Sequence, residues 1–263
     1  MTDEQLIEAL ARLLTRTEDR TTAELRPLLL QLALRIRALL LLTLPAEGDI
    51  VRTILYNNLR PRLLPLLQDF TTAYYAALRF ALPPLATDLE RTIARYLNVT
   101  PQPPRSLQEL LTTATVLSRP ANTLLAPGPN GIAPFTLQLE RLLNTSIRAA
   151  LFRGTRTSAI ADLVTPATAR RPTRGTVANA WLDRTTATTA SIFWSLVTPT
   201  TQQAVRATEA STAILWVWNA VLDPRTCPIC RPLDGTTASD PRSFPSGPPP
   251  LHPYCRCIII PRT

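Results

Sequence analysis

Apolar residues recur at helical spacing through the first 43 residues of the chain. The stretch TDEQLIEALARLLTRTEDR places leucines three and four positions apart, and Thr2 and Gln5 have the spacing of a capping box. A second helix is predicted from about residue 22 to residue 43. Its apolar residues surround most of its circumference, which predicts burial inside a bundle or against a partner.

Prolines interrupt the helical pattern that follows. Pro61 and Pro65 are expected to divide or kink the next helix, which should end at the proline pair 83–84. Residues 86–98 have the apolar spacing of a further amphipathic helix. The N-terminal region is therefore expected to consist of several separate helices.

The middle of the chain is also predicted to be helical. A helix should begin near Thr136 and end at Gly154, a suitable residue for a helix C-terminus. Residues 165–175 form a basic, Pro-containing segment that predicts a loop. A long helix is then expected over about 176–211, with an interruption near Pro199.

The period changes from helical to alternating at AILWVWNAV, residues 213–221. Trp216 and Trp218 fall on one face and aliphatic residues on the other, which predicts a strand buried on both sides. Asp234 and Gly235 stand in a hairpin position, and CIIIP near the end of the chain is a further β-rich run.

The predicted fold is mainly α with a small C-terminal β module, an α+β chain with a zinc-knuckle-like β-hairpin tail. Three regions are expected: a helical docking region at 1–105, a helical region with an Arg-rich loop at 106–212, and the β module at 213–263. Two arginines interrupt the most apolar run, so no membrane span is predicted. The acidic start MTDEQLIEAL differs from a secretory signal, which favours a cytosolic protein.

The formal net charge is +9, and every basic side chain apart from the single histidine is arginine. Compositional bias is the simplest explanation for the missing lysine, but the charge favours a polyanionic partner. Between residues 148 and 184, arginines outnumber acids by seven to two. A solvated basic face and contact with nucleic acid are alternatives here. The candidate nucleic-acid-binding residues are Arg148, Arg153, Arg156, Arg170, Arg171 and Arg174.

The four cysteines and the only histidine are gathered in the tail. A CxxC pair is followed about twenty positions later by HxxCxC, a spacing typical of tetrahedral zinc sites. Such an ion takes four ligands, so one of the five candidates is spare. Structural zinc is the predicted cofactor, with two disulfides or free buried thiols as alternatives. The candidate metal ligands are Cys227, Cys230, His252, Cys255 and Cys257.

Few residues are suited to catalysis. The one histidine belongs to the cluster, so a Ser-His or Cys-His pair lacks an imidazole. The absence of lysine excludes a GxxxxGK[ST] phosphate loop, and the chain contains no dinucleotide-binding glycine fingerprint. The sequence therefore predicts a protein that is not an enzyme and has no small-molecule substrate.

The tail carries a longer motif around the cysteines. A tryptophan-bearing strand precedes LDPRTCPICRPLDG, and PPLHPYCRC follows after a variable turn. This pattern resembles the C-terminal signature of the phage Mu F-like minor head proteins, also called head morphogenesis proteins. The likeness covers about the last 50 residues, and its motif is specific. Besides the metal candidates, the motif residues are Trp218, Asp223, Arg225, Asp234, Gly235 and Arg256, with a role in tying the hairpin loops together expected for Asp223, Arg225 and Arg256.

The resemblance implies a structural minor head protein of a tailed bacteriophage, present in the virion near the portal vertex and in the host cytoplasm during assembly. It implies a role in head assembly, with genome delivery as a further role. The implied partners are the portal protein, the major capsid protein as a second candidate, and packaged double-stranded DNA contacted without sequence preference. The alternative is a zinc-stabilised, non-catalytic DNA-binding regulatory protein, which would not co-purify with capsids.

Overall fold

In the computed structural model, the chain forms two compact units. The first comprises residues 1–21, 78–125 and 186–263, and the second comprises residues 22–77 and 126–185. The structure describes residues 1–46, 49–101, 109, 112, 132–208, 214–220, 227–252 and 254–262. The motif residues Asp223 and Arg225 lie outside these ranges, as do the predicted region limits at 106 and 213.

The N-terminal region begins with one helix, α1, over Asp3–Thr43. The prediction of two helices here is wrong, because residues 20–22 contain no helix breaker and the buried positions continue through them at spacings of three and four. Burial of residues 22–43 within the chain is incomplete, and their burial against a partner stays a prediction. The helix buries one stripe, whereas Leu28 and Leu41 are each 39% exposed and Leu42 is 86% exposed.

Two helices follow, α2 over Asp49–Asn57 and α3 over Arg60–Leu97. The prediction that prolines divide this region is wrong, because α3 passes through all four of them. Pro61 occupies the first turn, where a backbone N–H has no intrahelical partner to lose. The remaining prolines each remove one backbone hydrogen bond, which burial of the apolar stripe offsets. That stripe consists of Leu63, Leu67, Phe70, Tyr74, Leu78, Leu82, Leu85, Leu89 and Ile93.

Within the second unit, α4 covers Pro134–Phe152 and α5 covers Thr157–Val164. Helix α4 begins with proline at its first position and is followed by Gly154 at φ +69°, as the sequence predicted for its end. Helix α5 was not predicted. Polar contacts join α2 and α3 to α4: the Tyr56 hydroxyl donates to Asn144 Oδ1 at 2.6 Å, and the Arg60 guanidinium pairs with Glu140.

The long helix expected near residue 176 is two helices, α6 over Val177–Trp194 and α7 over Val197–Arg206. The interruption falls at residues 195–196, just before Pro199, so that this proline lies in the first turn of α7. Both helices are deeply buried over residues 187–201. Their hydroxyl groups bond to the preceding turn, as when Thr201 Oγ1 donates to the Val197 carbonyl at 2.8 Å.

The tail of the first unit forms an antiparallel sheet of strands β1 (Leu215–Ala220), β2 (Thr237–Ala238) and β3 (Cys257–Arg262), in the order β2-β1-β3. Trp218 lies opposite Ile259 in the β1–β3 register. β3 is buried on both faces over 257–261 and contacts α7, whereas β1 is buried on one face only, with Leu215 42% exposed. The expectation that β1 is buried on both sides is therefore wrong.

These elements confirm the predicted fold class, a mainly helical chain with a small C-terminal sheet. Among the described residues, no helix combines the length and apolar character that a membrane crossing requires.

Candidate metal centre in the C-terminal module

A tight turn presents the first two cysteines. The Cys230 N–H donates to the Cys227 carbonyl at 3.1 Å and to Cys227 Sγ at 3.2 Å, so the backbone folds around the first sulfur. A single 3₁₀ turn over Arg231–Leu233 follows immediately. Cys227 is half-buried and Cys230 is buried. This is the local geometry by which a CxxC pair directs two sulfurs toward one point.

A second turn presents the remaining candidates. The Cys255 N–H donates to the His252 carbonyl at 3.1 Å, and Tyr254 between them has a φ of +62°. Cys257 is the first residue of β3 and lies opposite Ala220 of β1 in the sheet register. Because the strand fixes Cys257 and the turn fixes Cys255, both sulfurs face the buried interior of the module.

The structure brings all five predicted ligands together in two groups of three that share Cys230. Cys227, Cys230 and His252 form one group, and Cys230, Cys255 and Cys257 form the other, with ligand atoms inside each group within 4.8 Å of one another. His252 Nε2 lies 2.8 Å from Cys227 Sγ and 3.1 Å from Cys230 Sγ. The cluster could therefore hold a metal ion.

The donor types suit a tetrahedral ion bound by sulfur and imidazole nitrogen, and one S···S distance matches the expected edge. Zn–S bonds of about 2.3 Å imply an S···S edge of about 3.8 Å, and Cys230 Sγ lies 3.7 Å from Cys255 Sγ. Zn–N bonds of about 2.0–2.1 Å imply an S···N edge of about 3.5 Å, so binding would require His252 Nε2 to move away from the two sulfurs by about 0.4–0.7 Å. Cys255 and Cys257, which share the second group with Cys230, are therefore the two candidates for the fourth ligand beside Cys227, Cys230 and His252.

The four thiols are free in the structure, and the pKa values of Cys230, Cys255 and Cys257 are shifted in different directions. A hydrogen bond from the Cys257 thiol lowers the pKa of Cys255 to about 5. The same bond raises the pKa of Cys257, and burial raises the pKa of Cys230. Because the thiolate is the form that binds metal, the lowered pKa favours Cys255 as a ligand.

The motif residues Asp234 and Gly235 connect the first turn to the sheet. Asp234 Oδ1 accepts a 2.7 Å hydrogen bond from the Ala220 N–H. Gly235 has a φ of +74°, in the left-handed region that favours glycine, and its N–H donates to the Trp218 carbonyl at 2.8 Å. These bonds hold the turn containing Cys230 against the end of β1.

Trp218 lies in the hydrophobic core of the module. Its side chain is fully buried, and its ring meets that of Phe244 edge to face with centroids 5.5 Å apart. Phe244 lies in the segment between the CxxC turn and the HxxCxC turn, so this segment covers one side of the sheet. The buried cluster around this pair contains Trp216, Trp218, Ala220, Cys230, Phe244, Cys255, Cys257 and Ile259.

Arg256 has a partner that sequence reasoning missed. Its Nη2 donates to Glu18 Oε1 of α1 at 3.2 Å, and the two side chains are 10% and 2% exposed. No sequence signal identifies Glu18 as a residue of this site, because it lies 238 positions away in an ordinary amphipathic helix. Arg256 thus anchors the second turn to α1.

The candidate arginines are placed separately, in the second unit. All six are exposed, at positions 148, 153, 156, 170, 171 and 174. The two acids of the same stretch bond to other residues: Asp162 accepts from Arg37 at 3.0 Å, and Asp183 accepts from Asn179 at 3.0 Å. Arg148 also donates to Asn57 Oδ1 at 3.2 Å. The structure thus leaves these arginines accessible to a polyanion.

Comparison with known families identifies part of the chain. Residues 142–260 match the family described as Phage Mu protein F like protein, which confirms the family that the tail motif indicated and extends the match upstream to a point within α4. The matched segment covers fewer than half of the 263 residues. No curated protein and no solved structure matches the chain. The family supports a protein related to the phage head.

Proposed function

We propose, from the likeness of residues 142–260 to the Phage Mu F-like family, that the chain is a structural, non-catalytic component of a tailed-phage head. In this proposal it lies near the portal vertex, contacts the portal protein and packaged DNA, and acts in head assembly and genome delivery. The observation that carries the proposal is the joint occurrence of the family match and the assembled Cys/His cluster within it.

The metal centre is proposed to bind one structural zinc ion through Cys227, Cys230, His252 and Cys255. Sulfur and imidazole donors suit zinc, and four protein ligands leave no open position for a substrate. The ion would supply folding energy to a module whose two ligand-bearing turns are short and irregular. Cys257 would remain as the hydrogen-bond donor to Cys255.

The position of the single histidine supports a structural role. The chain has one histidine, and the structure places its ring nitrogen against two cysteine sulfurs. An imidazole held in this way is not available as a general base for a nucleophile elsewhere. Ligation and protein contact are the roles that this arrangement supports.

Contact with DNA is proposed for the exposed arginines of the second unit. Three of them lie in the segment between α5 and α6 and are called the loop arginines: Arg170, Arg171 and Arg174. The sequence from 170 to 174 contains no acidic residue. Guanidinium groups bind phosphate through paired donors and carry no base preference in such contacts. Packaged DNA is a polyanion that a head protein would meet without needing to recognise a sequence.

Protein contact is proposed for the exposed apolar side chains of the second unit. Val51 and Ile54 lie three positions apart on α2 and are 54% and 56% exposed, while Phe152 at the end of α4 is 94% exposed. Large apolar groups left in water often mark a protein interface. The portal protein is the proposed partner, with the major capsid protein as the second candidate.

Fractionation of an infected-cell lysate tests the proposal. A head component should sediment with capsids and should be detected there by peptide mass spectrometry. A regulatory DNA-binding protein would instead stay in the slowly sedimenting fraction and would follow cellular DNA. Recovery only in that slow fraction would reject the head assignment in favour of the regulatory alternative.

A further inference from the structure

A buried ion pair connects α1 to the metal centre within the first unit. Arg256 stands between Cys255 and Cys257 in the sequence, and its guanidinium meets the Glu18 carboxylate at 3.2 Å. Glu18 is 2% exposed and Arg256 is 10% exposed, so water screens the pair little. A buried pair of this kind keeps a fixed geometry, because breaking it leaves a charge without compensation.

A second contact restrains the same strand. The Tyr96 hydroxyl is 2.8 Å from Asp3 Oδ1 and 3.0 Å from the Pro261 carbonyl oxygen, within hydrogen-bonding distance of both. β3 is therefore tied to the helices of its own unit near both ends. The Glu18 contact is the one that lies beside the ligands, since its partner is the residue between two cysteines.

We propose that Glu18 is a positioning residue of the metal centre, acting through Arg256 to fix the sulfur of Cys255 in the orientation that binds the ion. The inference rests on the proposed function, because it requires a bound metal. Partners outside the ligand shell set ligand orientation and commonly change metal affinity by about 10–100-fold when removed. Thermodynamic linkage makes the effect mutual, so metal binding should stabilise the packing of α1 around Glu18.

The test uses the full chain with Glu18→Gln, which keeps the shape of the side chain and removes its charge. Zinc affinity is measured by competition with a chromophoric chelator, and the coordination geometry by the visible spectrum of the cobalt(II) form. Glu18→Gln should bind zinc about 10–100-fold more weakly and should shift the cobalt ligand-field bands. Glu18→Asp, which keeps the charge at shorter reach, should give an intermediate affinity.

Glu8→Gln is the matched control. Glu8 lies on the same helix and pairs with Arg12, but its side chain is 67% exposed. This variant should match the wild type in zinc affinity and cobalt spectrum. A purely structural role for Glu18 would lower thermal stability in Glu18→Gln while leaving affinity and spectrum at the wild-type values, and that result would overturn the inference.

Two further outcomes separate this inference from the metal proposal itself. Failure of the wild type to bind zinc would reject the metal proposal and this inference with it, whereas wild-type binding with unchanged Glu18→Gln affinity would reject the inference alone. If neither Glu18 variant folds, hydrogen exchange in the wild type decides the question. Amides around residue 18 should exchange more slowly with zinc than without it, and equal rates would overturn the proposal.

Discussion

Replacing Cys230 tests how the five ligand candidates divide their roles. Both groups of ligand atoms contain Cys230, so Cys230→Ser leaves only two of the original donors in each group. Cys257→Ser is the matched control, because Cys230 and Cys257 are each 2% exposed and each substitution replaces a sulfur with an oxygen. It keeps the four donors of the proposed ligand set.

The expected magnitude follows from this difference. Loss of an outer partner costs about 10–100-fold in metal affinity, so loss of a shared ligand should exceed about 100-fold. That factor corresponds to about 2.8 kcal/mol of binding free energy. Cys257→Ser removes the hydrogen bond to Cys255 but no ligand of the proposed set, so its affinity should fall by about tenfold or less.

Chelator competition on the full chain gives both affinities, and thermal unfolding with and without zinc gives an independent check. Zinc at about 100 times Kd should stabilise the wild type by about 2.7 kcal/mol and should stabilise Cys230→Ser much less. Equal losses in the two variants would refute the proposed ligand set. Wild-type affinity in Cys230→Ser would refute the metal centre as a whole.

The fold and the basic surface give further expectations. Trp218→Ala should lower the free energy of unfolding by about 3–5 kcal/mol, measured by urea denaturation, whereas Leu215→Ala on the exposed face of the same strand should change it by less than about 1 kcal/mol; similar losses would contradict the one-sided burial of β1. Gly235→Val should destabilise more than Gly235→Asn because the positive φ, rather than lack of space, limits this position; equal effects would show that the backbone conformation does not matter there. Neutralising the three loop arginines with glutamine should reduce the slope of log affinity for duplex DNA against log salt by about 2.7, and an unchanged slope would favour a merely solvated loop. The control neutralises three exposed arginines of α1, namely Arg12, Arg16 and Arg20.

The metal cluster was predictable from the sequence because its ligands are local. A CxxC turn and an HxxCxC turn each place their own donors, and the sheet then needs only to bring two short segments together. The sequence contained no comparable signal for Glu18. Its contact with Arg256 depends on how α1 packs against the tail, and a single acid in an amphipathic helix is ordinarily solvated.

The errors in the helical region have one physical origin. Proline lowers the local preference for helix, so Pro61 and Pro65 suggested breaks, yet the apolar stripe of α3 continues through them and its burial outweighs the lost backbone bonds. A continuous stripe of buried positions likewise explains why the two predicted N-terminal helices are the single helix α1. Helix α5, at eight residues, is too short to stand out in the sequence.

Absolute quantification of this polypeptide and of zinc in purified, DNA-filled particles tests the central claim most directly. The account predicts that each particle contains a few to a few tens of copies and that zinc is present at about one ion per copy. Particles that are complete and infectious but contain none of the chain would contradict the claim that it is a component of the phage head. Particles that contain the chain without zinc would leave its place in the head intact and contradict the metal centre.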